Sequence, residues 1–307
     1  MIQYLKYKIK QIPIHYKEWN ASRRGSASYW TEHIVPNEGI NNSEDSLKHF
    51  HWRNAQYPGY IELMPVKGQD DKVVLDYGCG PGNDLLGFSV FSKPKHLFGV
   101  DVSKTALEES ASRLALHNSK SDLIHREENK NLIPIDNESV DYIHTSGVLH
   151  HCKDLDKVLS ELYRILKPDG EMRVMVYNYD SLWVHLFTAY FIQIERGFYK
   201  DMDLHEAFKR TTDGPHCPIS KCYKPKDFVS LVGKSGFNAK FLGTTISLNE
   251  MKMLPKRFTA IQTRTLANEH RDFLSQLTFN EKGIPLIKGE VAGIDACYKL
   301  TKNRKEN

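Results

Sequence analysis

The chain has no hydrophobic run suited to crossing a membrane. Its longest apolar stretch, Leu182 to Ile194, is too short and too interrupted to span a bilayer. The start, Met1 to Lys10, is interleaved with lysines and has neither an apolar h-region nor a small-residue cleavage site, so it does not read as a signal peptide. Nor does one sign of charge dominate. The 42 Lys and Arg against 38 Asp and Glu leave a net charge of +4, spread over many positions, which does not argue for nucleic acid by itself. Cysteine is sparse and odd in number: Cys79, Cys152, Cys217, Cys222 and Cys297. That count argues against a disulfide framework and for a reducing, cytoplasmic setting. No segment repeats. What is present is a chain of 307 residues, 40% hydrophobic and 26% charged, with room for one large α/β domain plus additions.

The most informative stretch is Val73-Val74-Leu75-Asp76-Tyr77-Gly78-Cys79-Gly80-Pro81-Gly82-Asn83-Asp84. Val73 to Leu75 is a short β-branched and apolar run, the kind that forms a buried parallel strand. Glycines then stand at alternate positions, where a ligand can approach backbone that carries no Cβ. The apolar segment Leu85 to Phe91 follows and reads as a helix covering the sheet. Strand, glycine turn and helix start make a nucleotide site. A dinucleotide fingerprint expects another glycine at position 83, which is Asn, and that speaks against a nucleotide-linked oxidoreductase. A second strand, His96 to Val102, carries Asp101, 23 residues after Gly78. A carboxylate at that place can accept both hydroxyls of a ribose; the plainer reading is an N-cap on the helix that starts near Ser103.

Asp76-x-Gly78-x-Gly80-x-Gly82 resembles motif I of the class I S-adenosylmethionine-dependent methyltransferases. Three later segments resemble the same family in the right order. Pro134 to Asp141 is similar to its stretch before strand four, Gly147-Val148-Leu149-His150-His151-Cys152 to its "LHH" turn, and Arg164 to Gly170 to its turn before strand five. The resemblance implies S-adenosylmethionine as cofactor and S-adenosylhomocysteine as product. It implies a doubly wound, mostly parallel, seven-stranded Rossmann-like α/β sheet, with an N-terminal helical cap and a lid insertion after strand five. It points to Asp76, Gly78, Gly80, Gly82, Asp101, Val102, Glu128, Asn129 and Ser146 as cofactor residues.

The chain divides accordingly. Residues 1–70, rich in aromatics such as Trp19, Tyr29, Trp30 and Trp52, read as a cap over the cofactor mouth; Ser43 to Leu47 reads as a helix start with a capping serine. Residues 71–180 alternate strand and helix and form the cofactor core. Leu123 to His125 reads as strand three, Val140 to Thr145 as strand four and Glu171 to Tyr177 as strand five, the last after a Lys167 to Gly170 turn. Residues 181–222 are the lid insertion, with helices over Leu182 to Ile194 and from Asp203. Residues 223–307 complete the sheet: strand six at Phe237 to Thr245, and strand seven at Gly293 to Leu300, antiparallel at the sheet edge as the resemblance implies. Residues 249–290 carry no assignable role.

Methyl transfer from a sulfonium needs an acceptor held in line with the leaving sulfur, and a base if the acceptor is a hydroxyl. His150 and His151 follow strand four at the carboxyl edge and are the base candidates. Tyr177 and Asn178, at the end of strand five, and Asp213, His216 and Tyr223, in and after the insertion, are candidates to bind acceptor. His216, Cys217 and Cys222 taken with His150, His151 and Cys152 match no common zinc spacing, so no metal is expected. The expected partner is a small molecule, a sugar or secondary metabolite with a hydroxyl or amine; a second copy of the chain stays open, and neither membrane nor nucleic acid is expected. The alternatives are an RNA-nucleoside methyltransferase, which needs a basic stripe with stacking aromatics, and a non-catalytic cofactor-binding subunit.

Overall fold

The structure is a computed structural model and describes residues 17–33, 40–127 and 132–303. Glu128 and Asn129 lie outside the described residues, as do Met1 to Lys10.

The chain enters through α1 (17–22), α2 (Ser26–Glu32), α3 (Ser43–Ala55) and the single turn α4 (Tyr60–Leu63). The cap of α3 is Asn42 rather than a serine: its side chain accepts a hydrogen bond from the Asp45 N–H. Then come β1 (Val73–Tyr77), α5 (Asn83–Phe91), β2 (His96–Asp101), α6 (Lys104–Ala115), β3 (Asp122–His125), β4 (Val140–Ser146), α7 (Leu155–Ile165) and β5 (Leu166–Tyr177). In α7, Leu155, Val158, Leu159, Leu162 and Ile165 are buried at helical spacing, and Pro168 prevents continuation. The expected turn at Lys167 to Gly170 is an outward bulge at the start of β5, because Val140 pairs with Leu166 but Tyr142 pairs with Glu171.

The sheet has seven strands in the order β3-β2-β1-β4-β5-β10-β6, where β6 is Phe237–Thr245 and β10 is Asp295–Lys302; the short β7 (Thr278–Phe279), β8 (Pro285–Ile287) and β9 (Glu290–Val291) make a separate small sheet. β3 through β5 pair in parallel, and β10 runs antiparallel to both neighbours. The expectation of strand seven at the edge is therefore corrected: β10 inserts between β5 and β6, and β6 is the edge. Successive residues of the central strands face opposite ways. Leu75, Val100 and Ile143 join one hydrophobic cluster with α7 and with Phe228 and Val232 of α9 (Pro225–Lys234). Val74, Leu97 and Tyr142 join another with Phe50, Leu85, Phe88 and Leu107. Both faces are thus covered, as a parallel sheet requires. Chain order reverses between β1 and β4, which opens a crevice at their carboxyl ends.

Beyond β5, Trp183–Glu195 is π-helical, and α8 (Leu204–Thr212) is capped by the Asp203 carboxylate. Residues 249–290, which the sequence left without a role, supply the partner of the π-helical segment. Leu182, Leu186, Ala189 and Tyr190 pack with Ala260, Leu266, Phe273, Leu274 and Ile287 into a second core. Glu250 fastens this core to the sheet. Its carboxylate accepts from Ser247 N–H and Oγ–H, from Trp183 N–H and from Ile294 N–H at 2.8–3.4 Å.

Burial pushes the Glu250 carboxyl up to about 8 against those hydrogen bonds, and burial pushes Asp295 up to about 7. Both folded values lie above the unfolded carboxyl range of ~4. The stability these groups contribute is therefore complete below pH ~4 and is lost as pH rises towards 8. Melting temperature measured from pH 5 to 9 should fall across pH 5–8 in the wild type, and Glu250→Gln should flatten that slope.

Candidate active site

A cavity of about 330 Å³ opens at the carboxyl ends of β1, β2 and β4. Gly78, Gly80, Asp101, Val102, Ser146 and His151 all line it. Its wall on the N-terminal side is α2, through Ser26, Ala27, Trp30 and, just beyond the helix, His33.

The glycine loop takes a shape that side chains disfavour. Gly78, Gly80 and Gly82 have φ of 77°, 51° and 82°. A Cβ on Gly78 would stand 2.2 Å from Val148 Cγ2, and one on Gly82 would stand 2.4 Å from Ser110 Oγ. At Gly80 a Cβ would meet nothing within 4 Å, because that position faces the cavity. The end of β2 holds the loop in place. The Gly80 N–H donates to Asp101 Oδ2 at 2.9 Å, and the Ser103 N–H donates to Oδ1 at 2.8 Å. Each carboxylate oxygen keeps a lone pair for a hydroxyl donor. The N-cap of α6 is Ser103, whose Oγ accepts from the Ala106 N–H, so Asp101 is not needed there. Burial raises the Asp101 carboxyl, with the Ser103 and Gly80 amides working the other way.

Asp76 and Gly82 stand behind the loop rather than in the cavity. Asp76 is buried on β1, and burial, reinforced by Asp84, holds its carboxyl well above the usual range. Beside it, burial opposes ionisation of Asp84, but Arg53 at 3.3 Å and His144 at 3.4 Å hold Asp84 below the usual range. Arg113 donates to Ser46 and to Asn83 Oδ1. A half-buried guanidinium, Arg53, and a buried one, Arg113, thereby fasten α3 to the first turn of α5.

The two histidines separate. His150 is fully buried, does not line the cavity and packs 3.9 Å from the Tyr177 ring. Burial, and then His151, pull it well below the ordinary imidazole range. His151 lines the cavity, with Trp30 edge-on at 4.7 Å. Its Nδ1 donates to the Ile219 carbonyl at 2.6 Å, which leaves the lone pair on Nε2, 3.7 Å from Asp213 Oδ2. Asp213 is itself held by the Tyr177 hydroxyl at 2.9 Å and by Ser220 Oγ at 3.2 Å. Of the other acceptor candidates, Asn178 is a buried structural clamp. Its Nδ2 donates to the Asp180 and Gly293 carbonyls and its Oδ1 accepts from Asp180 N–H, so both polar atoms are engaged on backbone, and it does not line the cavity. Tyr223 pairs its backbone with Tyr177 and packs on Phe228. His216 is half-buried, and it does not line the cavity. Sequence reasoning missed Arg126, which lines the cavity just after β3 with its guanidinium 5.8 Å from the Tyr77 ring. The acids next to it in sequence drew attention away, and no periodic signal marks it.

Residues 69–210 match the family described as a methyltransferase domain. Over these residues, slightly less than half of its length, the chain is similar to methyltransferase domains. A demethylmenaquinone methyltransferase from Listeria monocytogenes serotype 4a is 32% identical over 167 residues, 52% of this chain and 66% of that relative's length. The chain thus spans slightly less than two thirds of the curated relatives it matches. An uncharacterized methyltransferase from Schizosaccharomyces pombe is 29% identical over 128 residues, 39% of this chain and 44% of the relative. Among solved structures, the YcgJ protein from Bacillus subtilis superposes with a TM-score of 0.51 at 16% identity, covering 80% of this chain and 97% of that one. A Haloferax volcanii methyltransferase structure, solved with the Trm112 activator, gives a TM-score of 0.51 at 15% identity, covering 86% of this chain and 95% of that one. These two show the fold.

The cavity has groups that fit S-adenosylmethionine, the cofactor of the methyltransferases this chain resembles. Asp101 offers two lone pairs for the ribose, Gly80 leaves backbone open to the cavity, and Val102 supplies an apolar wall. Calorimetry with S-adenosylhomocysteine should show Asp101→Ala binding weaker by about 1–3 kcal/mol, the usual loss for a charged hydrogen-bond partner. Gly78→Ala should bind at least as poorly, since its Cβ collides with Val148. An unchanged dissociation constant for Asp101→Ala would remove the ribose role.

Proposed function

We propose that this methyltransferase moves a methyl group to a hydroxyl, or secondarily an amine, of a small molecule such as a sugar or secondary metabolite. One observation carries the reading. His151 lines the same cavity as Gly78, Gly80 and Asp101, and its Nδ1–H bond to the Ile219 carbonyl leaves a lone pair on Nε2. That the 32% identical relative is named for demethylmenaquinone supports a small-molecule acceptor, and the resemblance to small-molecule and sugar O-methyltransferases at Leu149 to His151 supports a hydroxyl.

S-adenosylmethionine supplies an electrophilic methyl on a sulfonium, displaced in line. The chain does the rest. Asp101 and the glycine loop fix the ribose end. Trp30 and α2 close one side and exclude water. His151 Nε2 takes the acceptor proton, and Asp213, steadied by Tyr177 and Ser220, faces the resulting imidazolium. His150 packs behind. Five unpaired thiols, three of them buried, fit work in a reducing cytoplasm.

The test is a panel of sugars, phenols, quinols and amines incubated with labelled S-adenosylmethionine, scored by acceptor-dependent release of S-adenosylhomocysteine. With a responding acceptor, His151→Ala should lower turnover about 10²–10⁴-fold, the usual share of general acid–base catalysis, while cofactor affinity stays within about twofold. Turnover equal to the wild type in His151→Ala rejects the proton-acceptor role. A response to transfer RNA alone, with retention on heparin, rejects the small-molecule reading.

A further inference from the structure

Loop 213–217, which leaves the end of α8, brings two more donor atoms to His151. Among the described residues, His151, Asp213 and Cys217 place one ligand atom each within 4.8 Å of one another. We propose that these three residues bind one zinc-class divalent cation through His151 Nε2, an Asp213 carboxylate oxygen and Cys217 Sγ.

The donor set is chemically selective. Imidazole, carboxylate and thiolate suit zinc and its neighbours in the first transition row rather than magnesium or calcium. The charges close as well. A neutral imidazole, one carboxylate and one thiolate around a divalent ion sum to zero, which a buried site requires. His151 and Cys217 are 7% and 3% exposed. The orientation of each ligand is already set. The Ile219 carbonyl accepts the His151 Nδ1–H at 2.6 Å, which fixes the tautomer that aims a lone pair from Nε2 towards Asp213. Tyr177 and Ser220 donate to the two Asp213 oxygens, and the Tyr29 hydroxyl donates to the Asp213 backbone carbonyl. Carbonyl and hydroxyl partners of this kind hold metal ligands in place.

The adjustment required is small. Tetrahedral zinc bonds of about 2.0–2.3 Å put ligand atoms roughly 3.3–3.7 Å apart. The observed 3.7 Å between Nε2 and Oδ2 is at that distance. Cys217 has further to go. Its thiol donates to the Ile219 carbonyl at 3.2 Å, and it must leave that acceptor and turn inward. The S–H bond breaks, the metal–sulfur bond forms, and the proton goes to solvent. Burial, and then Asp213, push this thiol up to about 12, so metal uptake displaces a proton.

Three protein ligands leave a fourth position, the arrangement of catalytic rather than structural zinc. His151 lines the cofactor cavity. With the ion bound, the Nε2 lone pair is occupied and His151 no longer serves as the proton acceptor; the fourth position would instead take the acceptor hydroxyl, whose proton the metal makes easier to lose to solvent. The sequence brought His151 and Cys217 forward as possible ligands but matched no common zinc spacing and left out Asp213, because the ligands come from the turn after β4 and from a loop beyond β5.

The experiment needs neither cofactor nor acceptor, so its failure leaves the methyl-transfer reading standing. Full-length protein, freed of metal by chelator, is titrated with cobalt(II). The expected result is one cobalt per chain, with the visible bands of a tetrahedral site and a thiolate-to-cobalt charge-transfer band, both displaced by zinc. Cys217→Ser and His151→Ala should lose the charge-transfer band or the stoichiometry. Cys222→Ser should keep both, since that thiol sits beside His205. Should Cys217→Ser fold poorly, Asp213→Asn serves in its place, with at least a tenfold weaker cobalt affinity expected. Absence of a thiolate band in the wild type overturns the proposal, and so does its persistence in Cys217→Ser.

Discussion

The Asp101 carboxylate is the constraint on which the site depends. It accepts one amide from the glycine loop and one from the start of α6, and so ties the ends of two adjacent strands to a single pair of oxygens. With the Gly78 and Cys79 amides bonded to the Val100 carbonyl, that tie fixes the loop on its left-handed path, and the loop lines the cavity. Sequence, backbone and site meet here. A β-branched run makes the strand, glycines permit the turn, and one acid at the next strand's end holds the turn open.

Around this point the N-terminal segment acts as part of the machinery. Arg53 and Arg113 reach from α3 and α6 to Asp84 and Asn83 at the start of α5. Asp84 is buried and Asn83 half-buried, so removing Arg53 strands the Asp84 charge in a medium that solvates it poorly. The first turn of α5 is therefore locked from both sides. Tyr60 adds a hydroxyl contact to Ser146 across the cavity floor.

The strands and helices with strong apolar periodicity were legible in the sequence. β1, β2 and β6 read close to their observed bounds because burial on a fixed face imposes a fixed spacing. The position of β10 was not legible, because alternation gives a strand's faces and not its neighbours. Residues 249–290 were opaque because their apolar side chains face another segment, the π-helical stretch, instead of repeating along one element. In the site, Gly78, Gly80, Asp101, Val102, Ser146 and His151 reach the cavity, while Asn178 spends all its polar atoms on backbone. Adjacent histidines looked equivalent on paper; a 3₁₀ turn over Leu149–His151 sends one inward and one to the cavity wall.

The wall formed by α2 has a further consequence. Tyr29 of that helix bonds the Asp213 carbonyl, and a Cβ on Gly214 would lie 2.8 Å from the same hydroxyl. Two stretches far apart along the polypeptide thus meet in one seam, next to Trp30 and His33 of the cavity wall. A side chain at position 214 would therefore disturb the N-terminal helix and the loop after α8 at once, although Tyr29 and Gly214 are not near one another in sequence.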